Sequence, residues 1–316
     1  MPRRTTKGKI ISSTVTLFVA IVFAALCWSV NADGIFYWCG FTAMLLCMVS
    51  LRQMSNGNAL MRARTWIVPA TFVALNGAFP SVHPLRPEHI GVIAYAFSQF
   101  YLFRSYQEFH AERTVVASFA FLGVAGLICP PILLLAIPHF ISLLVQLRAF
   151  HLRTFVAGLI GLSIPLELFV ALWFSWDDMA AHFPLWTNLW TNFWPSLPPQ
   201  WAEIDFNQSV NISIILLLFL IGCMHYLHTN FNDKIRVRMC FYVIMLQGVS
   251  LFLLITLMPH FSYHLFPFLL LEVSPMMGHY LMFSYGRWAN VFSFLIVALV
   301  LGAATFNLWN SSLLSF

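Results

Sequence analysis

The chain has 316 residues, of which 60% are hydrophobic, 16% aromatic and only 9% charged, with a formal net charge of +5. A soluble domain carries about 25% charged residues, so a water-facing surface of ordinary size is excluded, and repeated apolar runs of ~18 residues or more mark helices that cross a bilayer. No soluble basic domain carries the positive excess, so nucleic acid is excluded as a partner and the charge belongs to membrane topology. The expected fold is all-α: a polytopic transmembrane helical bundle in which residues 1–316 form a single integral-membrane domain.

In chain order, spans are expected at about 10–30, 35–51, 66–80, 90–104, 114–129, 132–147, 154–175, 209–227, 239–257, 262–283 and 288–309. That makes eleven, with ten as the fallback, and the short third and fourth can tilt or re-enter. Cytoplasmic flanks collect lysine and arginine. With the N-terminus cytoplasmic, fifteen of the sixteen basic residues fall on that side, and Arg86 alone falls on the other. The first span follows a basic stretch, but its apolar run of about 20 residues exceeds the 7–15 of a secretory leader, so an uncleaved span is expected.

One long outer loop, at about 176–208, holds an amphipathic segment at about 184–195. There Trp186, Leu189, Trp190, Phe193 and Trp194 share one helical face, between Pro184 and Pro195. Such a helix lies flat at the membrane–water boundary, as an anchor or as a lid over a lipid cleft. The six cysteines are scattered without a CxxC pair, which reads as buried thiols rather than disulfides or a zinc ribbon.

This topology places on or near the outer face a set of polar groups that includes Asp33, His83, Arg86, Glu88, His89, Asp205, His260 and His264. The sharpest stretch is "SVHPLRPEHIG", from Ser81 to Gly91. An arginine fork suits phosphate or carboxylate, and Glu88 and His89 beside Arg86 can act as acid and base or orient it; a plain loop ion pair is the simpler alternative. Glu167 and Glu272 lie within spans, where a charge costs ~2.5–3.5 kcal/mol and calls for a partner or a wet cavity. His260 and His264 form HxxxH and His225 and His228 form HxxH, the spacings of membrane di-iron enzymes. The two pairs belong to opposite sides, no adjacent His-His occurs, and Pro259, Pro267 and Pro275 are expected to break the helix that regular spacing needs, so no metal site is expected.

From Asn58 to about Pro165 the chain reads "RTWIVPATFVALNGAFPSVHPLRPEH", then "AYAFSQFYLFRSY", then "LGVAGLICPPILLLAIPHFISLLVQLRAFHLRTFVAGLIGLSIP". In these elements it resembles an uncharacterised family of multi-pass inner-membrane proteins of Bacteroidota-type bacteria. That resemblance covers about a third of the chain and implies a bacterial inner-membrane location without an activity. A weaker, architectural likeness is to polyprenol-dependent glycosyltransferases of the GT-C type. It implies outward-facing chemistry, with Asp33 in the first outer loop and the segment at 184–195 as the amphipathic helix, although that loop lacks an acidic pair.

The functional expectation is an envelope-biogenesis protein acting on a lipid-linked glycan or lipid at the outer face. In it Asp33 or Glu88 is the catalytic carboxylate, His89 assists, and Arg86, His260, His264 and Glu167 bind substrate. No cofactor is evident, though a carboxylate–phosphate site can recruit a divalent cation. Expected partners are membrane lipids, a polyprenyl-phosphate-linked substrate and other envelope proteins. The alternatives are a transporter or lipid flippase whose path is lined by Glu167, Glu272 and His139, and a non-enzymatic subunit of an envelope complex.

Overall fold

The computed structural model describes residues 14–30, 34–62, 64–175, 201, 204–284 and 286–314. Asp33 and the amphipathic segment at 184–195 lie outside the described residues. Those described form eleven α-helices and no strand: α1 (Thr14–Val30), α2 (Ile35–Gly57), α3 (Ile67–Ala78), α4 (Glu88–Arg104), α5 (Glu112–Ile128), α6 (Ala136–Val145), α7 (Leu152–Ser175), α8 (Phe206–Thr229), α9 (Ile235–Leu257), α10 (Ser262–Phe283) and α11 (Arg287–Leu314). Short 3₁₀ turns at Pro80–Val82, Pro130–Leu135 and Pro259–Phe261 lead into later helices. Each begins at a proline, whose missing N–H and fixed φ suit the first position of a helical turn.

Each helix coincides with one expected span, but only six are long and apolar enough to cross a membrane: α2, α8, α9 and α10 over their lengths, and α7 and α11 over Leu152–Ala171 and Asn290–Trp309. Twelve residues give α3 a length of about 18 Å, short of the ~30 Å hydrocarbon core. Pro80 prevents its continuation, and Pro130 and Pro131 spend six residues on a 3₁₀ turn before α6. The chain is therefore an all-helical protein of membrane-spanning character.

The interior helix is α10. Of its apolar stretch 83% is buried, against 50% or less for the other five long helices. Pro267 and Pro275 were expected to break it, yet α10 runs unbroken from Ser262 to Phe283 with both prolines inside. A neighbour also bonds its backbone directly, the Thr71 hydroxyl on α3 donating to the Ser274 carbonyl at 3.0 Å, and prolines persist within packed membrane helices of this kind. Elsewhere glycine sets the approach. A Cβ on Gly161 of α7 would come within 2.5 Å of the Val116 carbonyl on α5, so these two helices meet backbone to backbone.

Side-chain contacts define two ends of the bundle. At one, Glu88 meets His264 and Trp28 meets His83. At the other, Arg62 meets Asp233 and Arg236 meets Asn58. The second end carries the basic flanks that topology assigns to the cytoplasm; "outer" and "inner" are used below in that sense.

Candidate functional site

Three polar stations are strung along α10, at His264, Glu272 and His279. The outer one is built on the loop between α3 and α4. Trp28 lies flat on His83, ring centroids 3.6 Å apart at 18°, and donates its Nε1–H to the Tyr37 carbonyl at 3.1 Å. His83 Nε2 reaches the Asn76 carbonyl at 3.1 Å. Only glycine at position 40 lets the loop rest on α2, because a Cβ there would sit 2.0 Å from the His83 carbonyl. Burial pushes the His83 imidazole down to about 4, against backbone carbonyls that act to raise it, so it is neutral at pH 7.

The anchored loop delivers Glu88 to the first turn of α4, where the helix dipole favours a carboxylate. There Glu88 Oε1 is hydrogen-bonded to His264 Nδ1 from the first turn of α10. Burial pushes the Glu88 carboxyl up. The hydrogen bond from His264 and the charges of His264 and Arg86 outweigh it, holding the group below its ordinary range. With Nδ1 bonded to Glu88, no hydrogen bond among the described residues engages the other nitrogen of His264, and the side chain is 31% exposed. A carboxylate on one ring nitrogen fixes the tautomer and presents the other as a base, the division of labour in hydrolase triads.

Arg86 is half-buried, and among the described residues no hydrogen bond or ion pair engages its guanidinium. Its charge is nevertheless felt by Glu88, His89 and Tyr263, and Tyr263 also feels Asp205. His89 turns inward: its Nδ1 sits 3.1 Å from the Arg86 carbonyl, and its own carbonyl accepts from the Cys47 thiol at 3.3 Å. Burial lowers its pKa, and its position stiffens the Arg86 turn rather than offering a base to solvent. His260 sits in the 3₁₀ turn with its ring against Phe261 at 4.4 Å. Glu167 is exposed on α7, and among the described residues no hydrogen bond or ion pair joins it to Arg86, Glu88 or His264. The fold thus gathers Arg86, Glu88 and His264 and leaves Glu167 elsewhere.

The middle station is dry. Glu272 Oε1 accepts from Tyr95 Oη at 2.6 Å and from Gln99 Nε2 at 2.8 Å, and all three residues are at most 1% exposed. One turn along α4, Ser98 Oγ lies 3.1 Å from His139 Nε2, and Gln247 Nε2 lies 3.0 Å from His139 Nδ1. His139 Nδ1 also lies 2.9 Å from the Leu135 carbonyl, and Ser118 Oγ donates to the Ser98 carbonyl at 2.9 Å, so both ring nitrogens are engaged in a closed polar network. Tyr95, Gln99 and Gln247 are the partners that sequence reasoning missed. Their signal was a neutral polar side chain inside an apolar run.

At the inner station Asp233 accepts from Arg62 Nε at 2.9 Å and from His279 Nε2 at 3.1 Å. Burial raises the Asp233 carboxyl, but the hydrogen bonds and charges of His279 and Arg62 more than reverse that, leaving it below its ordinary value. The rings of Phe283, Tyr226 and Phe241 surround His279 at 4.7, 4.8 and 5.2 Å. Among the described residues no group of three or more His, Cys, Asp or Glu is placed to hold a metal ion. The chain matches no family model, no curated protein and no solved structure.

Proposed function

We propose that this is a bacterial inner-membrane enzyme of envelope biogenesis that transfers a group from a polyprenyl-phosphate-linked donor, or a related phospholipid, to a hydroxyl acceptor at the outer face. The observation that supports it is the Glu88–His264 pair beside an Arg86 guanidinium that no hydrogen bond or ion pair engages among the described residues. His264, oriented by Glu88, takes the acceptor proton on the ring nitrogen that Glu88 does not engage. Arg86 meets the charge that develops on the departing phosphate, where a fixed donor in a poorly hydrated site is most effective. Glu88 is then a positioning residue rather than the base, and His89 shapes the turn. The test is deletion of the gene, profiling of polyprenol-linked sugars and lipids, and complementation. Wild type restores the profile while Arg86→Ala and His264→Asn do not; an unchanged profile on deletion, or rescue by both variants, overturns the proposal.

A second reading, a carrier, is favoured by one observation: Glu272 is an ionisable group deep within the most buried spanning helix, the usual mark of an ion or substrate path. On that reading Glu272→Gln abolishes function while Arg86→Ala retains it, the reverse of the transferase pattern.

A further inference from the structure

Far from the outer site, a set of buried polar atoms has no protein partner. Among the described residues, His225 Nε2, Tyr226 Oη, Arg238 Nε and His279 Nδ1 are all buried without a hydrogen bond. They belong to one cluster at the inner ends of α8, α9 and α10. The His279 ring lies 4.8 Å from that of Tyr226 and 5.8 Å from that of His225, and Tyr226 is within electrostatic reach of both Arg238 and Asp233. A buried polar group left unpaired costs ~1–3 kcal/mol, so four together mark a place that a polar species fills.

Charge decides which species. Arg62, Lys234, Arg236 and Arg238 stand here against one carboxylate, Asp233, and both of its oxygens are taken, Oδ1 by Arg62 and Oδ2 by His279. That surplus repels a metal cation and attracts an anion. The Tyr226 hydroxyl and the Arg238 Nε–H are donors, and the free nitrogens of His225 and His279 can join them when protonated. Within the Arg62–Asp233–His279 chain Arg62 is the one that reaches solvent, its side chain 44% exposed against 2% for Asp233 and 1% for His279, and its guanidinium lies 4.5 Å over the Phe283 ring. It therefore stands between the cluster and the aqueous side.

We infer that this cluster is an oxyanion site, opening toward the inner side past Arg62, that takes a phosphate group on Tyr226, Arg238, His225 and His279. The phosphate comes either from a soluble phosphate or phosphomonoester or from an anionic lipid headgroup. The two sources are separable with the full-length protein. In detergent, inorganic phosphate is titrated against a chloride control by calorimetry; in nanodiscs, thermal stability is compared between phosphatidylglycerol and phosphatidylcholine.

A soluble ligand gives phosphate binding with a Kd of ~1 mM or tighter, weakened ~5–10-fold by Tyr226→Phe and by Arg238→Gln. A headgroup ligand gives no phosphate response in detergent but a stabilisation that follows phosphatidylglycerol content and shrinks in both variants. Tyr226→Phe removes only an unpaired hydroxyl, so its fold is retained and a loss of binding is not a loss of structure. No response in either format, or wild-type responses from both variants, overturns the inference.

Discussion

The imidazole of His264 closes on the carboxylate of Glu88 across 176 residues of sequence, tying the first turn of α10 to the first turn of α4. The pair is asymmetric, with the Glu88 side chain 6% exposed and that of His264 31%. Removing the carboxylate charge therefore costs more than an exposed ion pair would. We expect Glu88→Gln to lower stability by about 2 kcal/mol, in the range of hydrogen bonds to charged groups. Adding His264→Asn to Glu88→Gln should cost much less than the two single losses combined. Unfolding of the purified protein in detergent checks this, and full additivity would remove the pair from the account.

At the middle station Tyr95 and Gln99 both point donors at one oxygen of Glu272. Glu272→Gln retains an oxygen for them and should cost about 1 kcal/mol or less. Glu272→Leu strands two buried donors and should cost about 2–4 kcal/mol. Tyr95→Phe, introduced into the Leu variant, removes one stranded donor but also the oxygen that accepts from Gln99 Nε2 at 3.0 Å, so it should recover little of that loss in the same unfolding measurement.

Acid should loosen the outer loop over a defined window. The folded protein holds His83 at about 4, against an ordinary value of 6.5. The unfolded chain thus binds a proton below 6.5 that the folded chain refuses, and stability is lost as pH falls from 6.5 to 4, with no further loss from this group below. The effect is on the order of 3 kcal/mol. His83→Phe keeps an aromatic ring on Trp28 and should flatten the melting temperature against pH in that window. His89, lowered by burial in the same sense, leaves a residual slope. The lowered carboxyls of Glu88 and Asp233 act only at lower pH, below their ordinary values of 4.5 and 3.8.

The close approach of α5 and α7 should tolerate no side chain at Gly161. A valine there places Cβ against the Val116 backbone, which cannot yield as the end of a flexible side chain can. Gly161→Val should cost about 2–3 kcal/mol or more, as strained core overpacking does, and show as lost monodisperse protein on gel filtration. Gly302→Ala, where a Cβ meets nothing within 4 Å, is the control that should behave as wild type.

Orientation is open to direct measurement. Single cysteines at Leu85 and Lys234, both exposed and at opposite ends, should label from opposite sides with a membrane-impermeant maleimide, Leu85→Cys from outside. Labelling of both from one side would refute the alternating arrangement.

Much of this arrangement is legible in the residues, and the exceptions have physical causes. Apolar runs locate every described helix, because burial of a span in lipid demands them. Arg86 stands out because it violates the charge rule its neighbours obey. The Glu88–His264 contact was not readable, since it joins the starts of two helices that only the packed bundle brings together. Glu167 and Glu272 look alike in sequence, yet one faces outward and the other is sealed; a glutamate in an apolar run reports its depth but not its direction. The prolines of α10 misled for a related reason. Their cost is real in an isolated helix, but α10 is packed along most of its length, and it runs helical through both prolines.

The burial of α10 also bears on how the protein is made. At 1.2, its mean hydropathy is the lowest of the six long helices, the others ranging from 1.5 to 2.3, and it carries His264, Glu272, His279 and two prolines. Such a segment partitions poorly into lipid by itself. Its hydrogen-bond partners Tyr95, Gln99 and Asp233 all precede it in the chain, so they are already synthesised when it emerges from the ribosome. Membrane integration of α10 is therefore a docking event onto α4 and the α8–α9 turn, and an order of assembly from N- to C-terminus is written into which helix holds the charge.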